Sequence, residues 1–188
     1  MNKGFKGLQS IVISIRFLPV SLGVKRKDEL LRKDVSRWGK ICNIEGSFSH
    51  TLAILLKTKK EFRNLYIYRN RRRRFYRWWI KVWYRPMNTL FLESKEIGGG
   101  LFIQHGFATL IAAESIGENC WINQQVTIGY NGTDRPPIIG NNVMITCGAK
   151  VLGPITVGDN VVIGANAVVI RDVEPGAVMG GVPAKRIK

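Results

Sequence analysis

His105 is the residue in this sequence best suited to acid–base chemistry. The 188-residue chain contains two histidines, and His105 lies in the segment IQHG at the start of a repeated pattern. An imidazole with an ordinary pKa of about 6.5 can take a proton near neutral pH. A hydroxyl is a poor nucleophile until a base removes its proton, so His105 is the candidate general base for transfer of a group to a hydroxyl. The alternative is a structural histidine whose nitrogens are satisfied by hydrogen bonds.

A six-residue repeat predicts the elements that must position His105. From residue 139 to residue 169, isoleucine or valine recurs at every sixth position, with Gly, Asn and Asp between them at positions that tolerate left-handed backbone angles. A short fixed period is typical of a solenoid, and a period of six is the pattern of a parallel β-helix. The alternative, buried strands of an α/β sheet, is disfavoured because six repeats in phase exceed ordinary strand length. We therefore predict a mainly β protein with about four coils that end at Pro175.

Charge divides the chain near Lys95. Residues 1–95 carry 23 Lys and Arg against 6 Asp and Glu, whereas residues 96–188 carry 6 against 7. This contrast predicts a basic, mostly helical N-terminal region over residues 1–95 and a β-helix domain over residues 96–188. Helices are predicted over residues 8–22, 28–40 and 50–70. The apolar stretch 8–22 is too short to span a membrane, so we interpret it as an amphipathic helix.

Residues 69–86 combine arginines with aromatic residues on a predicted helix that ends at Pro86. The aromatics could pack the helices onto the solenoid, or residues 69–85 could contact the surface of an anionic membrane. Nucleic acid is not expected as a partner, because no recognised nucleic-acid-binding motif accompanies these residues. An odd number of cysteines without a CxxC pair favours a reducing compartment, and no metal-binding spacing is present. We expect a cytoplasmic protein, peripheral at the inner face of the membrane if residues 69–85 contact lipid, with Cys120 as a small buried filler.

Several motifs resemble one known family. The segments IQHGFATLIAAESIGENCWINQQVTIG, DRPP, ITCGAKVLGPITVGDNVVIGANAVV and GVPAKRI are similar to the serine acetyltransferase branch of the hexapeptide-repeat acyltransferases. RKDVSRWGK and EFRNLYIYR resemble the helices that precede the repeat in family members associated with surface polysaccharides. The resemblance implies a homotrimer of left-handed β-helices with active sites between subunits. It also implies acetyl transfer from acetyl-CoA to a hydroxyl, with His105 as the base and no metal.

The sequence departs from the serine acetyltransferase pattern where that pattern binds its acceptor. The resemblance implies two acids and a second histidine at positions that here hold Gln104, Leu90 and Pro136. Each lost polar contact weakens binding of free serine by about 1–3 kcal/mol, so we expect a sugar hydroxyl of a surface polysaccharide or its lipid-linked precursor as the acceptor. Serine is the alternative acceptor, and a non-catalytic solenoid adaptor is the alternative of another class.

The acceptor and donor sites are assigned to named residues. The candidate acceptor-binding residues are Gln104, Asp134, Arg135 and Glu93, and His105 is oriented by Glu93, Glu114 or a backbone carbonyl. Acetyl-CoA needs an apolar groove, backbone donors for its amides and cations for its phosphates. For these the resemblance implies Gly129, Cys147, Gly148, Ala165, Lys185 and Arg186. In the simpler alternative, Lys185 and Arg186 form a solvated basic tail.

Overall fold

From residue 28 onward, the computed structural model has four helices followed by fifteen short strands. The structure describes residue 20, residues 28–132 and residues 135–188. The helix predicted over residues 8–22 therefore lies outside the described residues, apart from residue 20. No helix in the described part of the chain has the length and apolarity to cross a membrane.

The helices are α1 (Glu29–Ile41), α2 (Phe48–Thr58), α3 (Lys60–Arg69) and α4 (Arg74–Trp83). Side chains cap the first two, because Asp28 accepts a hydrogen bond from the Leu31 N–H and Ser47 accepts one from the His50 N–H. The single helix predicted over residues 50–70 is two helices that meet at Lys59, whose backbone is extended. Arg63 stabilises the break, since its guanidinium donates to the Leu56 and Lys57 carbonyls at the end of α2, each at 2.6 Å.

The strands, numbered in chain order, form three parallel sheets that wind into a solenoid. One sheet contains β1 (Leu90–Leu92), β4 (Thr109–Ile111), β7 (Thr127–Gly129), β10 (Lys150–Leu152) and β13 (Val168–Val169). A second contains β2 (Glu96–Ile97), β5 (Ser115–Ile116), β8 (Ile138–Ile139) and β11 (Thr156–Val157). The third contains β3 (Phe102–Ile103), β6 (Trp121–Ile122), β9 (Met144–Ile145), β12 (Val162–Ile163), β14 (Val178–Gly180) and β15 (Lys185–Arg186), and β15 alone runs antiparallel to its neighbour, β14.

The predicted parallel β-helix is confirmed, with about five turns rather than about four. Repeat positions stack directly, as in the column Ile97, Ile116, Ile139 and Val157, and these side chains are buried. The additional turn begins at β1, which pairs with β4 in register but precedes the boundary expected near Lys95. Its inward residues are leucines rather than the Ile or Val of the hexad, so the repeat pattern did not reveal it.

The helices attach to the first coils through a few specific contacts. Arg69 forms a buried ion pair with Asp34, in which Arg69 Nε lies 2.7 Å from Asp34 Oδ2. Asp34 Oδ1 also accepts the Gly100 N–H at 2.7 Å. Trp38 Nε1 donates to the Leu101 carbonyl at 2.7 Å. These contacts fix helices α1 and α3 against the first coil, next to the strand that leads to His105.

Candidate active site

His105 lies in an enlarged corner turn between β3 and β4. Ile103 and Ile111 both face the core but are eight positions apart in the sequence, two more than the repeat requires. His105 has a left-handed backbone conformation with φ of 59° and is exposed, as are Gln125 and Asn166 at later corners of the solenoid. Glycine must follow at position 106, because a Cβ there would lie 2.9 Å from Ile103 Cγ2 and 3.0 Å from Leu90 Cδ2. The candidate base therefore lies at an exposed corner of the solenoid, where the repeat is interrupted.

Gln104 is held by an aromatic row that extends from the helical region. Trp121 Nε1 donates to Gln104 Oε1 at 3.2 Å. The Trp121 ring packs on Phe102 with centroids 4.6 Å apart, and Phe102 packs on Trp38 of α1 at 4.5 Å. Because Gln104 directly precedes His105, this row couples α1 to the turn that carries the candidate base.

An acidic residue that sequence reasoning missed packs against the His105 turn. Glu61 of α3 places its Cγ 3.3 Å from the position that a Cβ on Gly106 would occupy. Leu90, which approaches Gly106, is the first residue of β1. Glu93 follows the last residue of that strand, at its other end. Glu114 is paired with Lys95 at 2.7 Å, a hydrogen bond that raises the pKa of Lys95.

The turns that follow His105 in successive coils stack into one column. Gln125 N–H donates to the Phe107 carbonyl at 3.0 Å, and Gly148 N–H donates to the Gln124 carbonyl at 3.0 Å. Asn166 N–H then donates to the Cys147 carbonyl at 2.9 Å. Three predicted donor-site residues, Cys147, Gly148 and Ala165, therefore share a corner of the solenoid with His105.

Two side-chain oxygens in this column are buried without a hydrogen-bond partner in the described part of the chain. They are Asn123 Oδ1 and Gln124 Oε1. A buried acceptor without a donor costs about 1–3 kcal/mol, so this corner is suited to receive an N–H or O–H group from a ligand. Sequence reasoning did not single out either residue, because amides in a turn carry no distinguishing spacing.

The other predicted donor-site residues lie away from this column. Gly129 ends β7, at the opposite end of that strand, and open space surrounds the position of its absent Cβ. Lys185 and Arg186 form the exposed strand β15 at the last turn. Arg186 lies 3.3 Å from Glu174, an exposed pair of the kind that contributes little to stability.

The acceptor-side loop leaves the solenoid between β7 and β8. Pro136 and Pro137 are buried and anchor its return, whereas Arg135 is exposed. Asp134 lies outside the described residues, so the structure places Gln104, Glu93 and Arg135 of the predicted acceptor set. In the described part of the chain, no three His, Cys, Asp or Glu side chains are grouped as metal ligands would be.

The solenoid and much of its sequence are similar to those of known transferases. Residues 136–171 match the family model described as bacterial transferase hexapeptide (six repeats). A serine acetyltransferase of Helicobacter pylori is 47% identical over 96 residues, which cover 49% of this chain and 56% of that protein. The crystal structure of serine acetyltransferase from Brucella abortus superposes with a TM-score of 0.65 at 25% identity over 94% of this chain and 72% of that one. Its complex with coenzyme A gives the same TM-score and identity over 85% of this chain and 66% of that one.

These matches confirm the resemblance found in the sequence. The chain is similar to hexapeptide-repeat acyltransferases of the serine acetyltransferase branch. The matched segment spans 39% of one curated relative and 56% of another, about half the length of these proteins.

Proposed function

We propose that this protein is an acetyl-CoA-dependent O-acetyltransferase with His105 as general base. The observation that carries the proposal is the column of turns in which His105 shares one corner with Cys147, Gly148 and Ala165. Relatives with the same fold are named serine acetyltransferase, and one solved neighbour holds coenzyme A. A base beside a donor groove is the arrangement that direct acetyl transfer requires.

The proposed reaction is a single displacement at the thioester. Neutral His105 takes the proton of the acceptor hydroxyl while that oxygen attacks the carbonyl carbon of acetyl-CoA. The carbon–oxygen bond forms, the carbon–sulfur bond breaks, and the proton passes from His105 to the coenzyme A thiolate. Glu61 of α3 packs against Gly106 in the same turn, directly after the candidate base.

Serine is the first acceptor to test, because the relatives and solved neighbours carry that substrate in their names. Glu61 offers a carboxylate that could pair with its ammonium group. The chain's departures from the family pattern favour a second candidate, a sugar hydroxyl of a surface polysaccharide or its lipid-linked precursor. Leu90 and Pro136 are buried where that pattern has ionisable groups, so the site has fewer charges to hold an amino acid.

A homotrimer with shared active sites is part of the proposal. A solenoid has flat faces, and closed threefold packing of identical prisms creates three equivalent clefts. Light scattering at micromolar concentration should give the mass of a trimer, and a monomer would contradict shared sites. The cytoplasmic location expected from the cysteines stays a prediction.

The catalytic assignment is tested by His105→Ala. We expect coenzyme A release with a panel of serine and nucleotide- or lipid-linked sugars to fall by about 10²–10⁴-fold. His50→Ala is the matched control, because His50 is the second histidine and lies exposed on α2, and it should keep full activity. Full activity of a correctly folded His105→Ala variant would instead favour a non-catalytic adaptor, and the panel itself identifies the acceptor.

A further inference from the structure

Helix α4 exposes large apolar side chains on the side that faces away from the protein. Phe75, Trp78 and Val82 are 55%, 57% and 49% exposed, whereas Ile80 is fully buried. At about 100° per residue, Val82 lies roughly 160° around the helix axis from Ile80. An ordinary surface helix places its apolar residues against the core, as α4 does with Ile80, so Phe75, Trp78 and Val82 form a second apolar side that is exposed. Trp79 packs against the core, and the rings of Phe75 and Trp78 lie 5.9 and 6.1 Å from its ring but remain more than half exposed.

Cations border this exposed apolar side. Residues 62–92 contain nine Lys and Arg and no acidic residue. Three of these cations, Arg74, Arg77 and Lys81, line a surface depression together with Trp78. An apolar side that carries tryptophan and is flanked by cations is typical of helices that lie in the interface of a bilayer.

We propose that α4 binds flat on the surface of an anionic phospholipid bilayer. Phe75, Trp78 and Val82 enter the boundary between headgroups and acyl chains, while Arg74, Arg77 and Lys81 pair with lipid phosphates. Ten residues of helix span about 15 Å, half the thickness of the hydrocarbon core, so the contact is with the surface. This binding does not depend on the proposed acetyl transfer.

The charge and apolar residues of α4 favour a lipid surface over a second copy of the chain or nucleic acid as the partner of this helix. A second copy packed on α4 about a twofold axis would place this cationic helix against itself, and like charges would oppose the contact. Nucleic acid would satisfy the cations but would leave aliphatic Val82 without an apolar partner. An anionic bilayer satisfies both the cations and the apolar side chains.

Sedimentation with vesicles tests the proposal on the full chain. The protein should pellet with phosphatidylcholine mixed with phosphatidylglycerol, remain in solution with phosphatidylcholine alone, and dissociate as salt is added. Arg74→Glu combined with Arg77→Glu should lower the partition coefficient by at least roughly 30-fold. Trp78→Ser combined with Val82→Ser should lower it by at least about tenfold. The matched control is Ile170→Ser with Arg171→Glu, an exposed apolar residue and an exposed cation on the solenoid, and it should bind as the parent does.

Tryptophan fluorescence gives a second measurement that does not depend on charge reversal. Anionic vesicles should shift the emission to shorter wavelength, and Trp78→Phe should reduce the shift because Trp78 is the most exposed of the five tryptophans. Equal binding to neutral vesicles, or full binding by both double variants, would overturn the proposal. The proposal would also fail if the protein did not bind vesicles and Trp78→Ser with Val82→Ser lowered the mass measured by light scattering. In that case α4 would be a contact between copies of the chain.

Discussion

The helical region and the solenoid are stabilised in different ways. In the solenoid, each coil repeats the contacts of the coil before it, and the inward residues form stacked columns. In the helical region, single contacts such as the Asp34–Arg69 pair and the Trp38 hydrogen bond occur once. When a contact is repeated in every coil, each copy contributes a small part of the folding free energy. A contact that occurs once contributes a larger part by itself. We therefore expect substitutions at the junction to cost more than substitutions within the coils.

The largest effect is expected at the buried ion pair. Asp34→Ala removes the carboxylate beside Arg69, whose side chain is 4% exposed, and leaves that charge without its counterion. The free energy of unfolding should fall by about 3–5 kcal/mol. Urea denaturation at fixed protein concentration measures the change.

Lys33→Ala is the matched control for this substitution. Lys33 also joins α1 to the solenoid, through Glu118 at 2.5 Å, but the two side chains are 50% and 44% exposed. An exposed pair contributes at most about 1 kcal/mol, so this variant should remain close to the parent. Similar losses from both variants would show that burial does not decide the strength of the junction.

A smaller effect is expected where the coils approach closely. A Cβ at Gly117 would lie 2.6 Å from the backbone of Gly140 in the next coil, so Gly117→Ala must push two coils apart. We expect a loss of about 1–3 kcal/mol in the same denaturation assay. Gly180→Ala is the control, because its Cβ would meet its nearest atom at an ordinary 3.5 Å. A loss at Gly117 larger than the loss at Asp34 would reverse the comparison between the two regions.

The same difference explains how much of the molecule the sequence predicts. The coils from Ile139 to Val169 can be predicted from the sequence because every repeat places the same residue types at the same buried positions. Strand β1 was missed because leucines line it, and the break at Lys59, where the Arg63 side chain caps the end of α2, has no repeated pattern that would reveal it. Each of these features occurs once in the chain, so no repeat in the sequence reveals it.

The residues of the candidate site also differ in whether the sequence predicts them. The break in the repeat marks the His105 turn, and the family resemblance points to Cys147, Gly148 and Ala165 in the same corner. Glu61 was not found, because it comes from a helix distant in sequence and approaches the turn only when α3 packs on the first coil. Tertiary packing of this kind leaves no periodic signal.

The smallest effect is expected on the rates at which the cysteines of the two regions react with a thiol reagent. All three cysteines are free thiols, and Cys120 is buried in the solenoid, as its repeat position predicts, with its Sγ 3.2 Å from the Gly140 carbonyl. Burial raises the pKa of Cys120 to about 11, so the thiolate, which is the reactive form, is scarce at neutral pH. Cys42, at the end of α1, and Cys147, in the corner column, are half-buried.

Two thiols should therefore react with a thiol reagent in the native protein, while Cys120 should react only when the solenoid opens. Mass spectrometry over a labelling time course distinguishes the three sites. Asp34→Ala should accelerate labelling of Cys42, because α1 loses its buried anchor, and should leave Cys120 protected if the coils hold together without that anchor. Equal acceleration at Cys42 and Cys120 would mean that the helical region and the solenoid unfold as one unit, and the contrast between them would then apply to their construction but not to their stability.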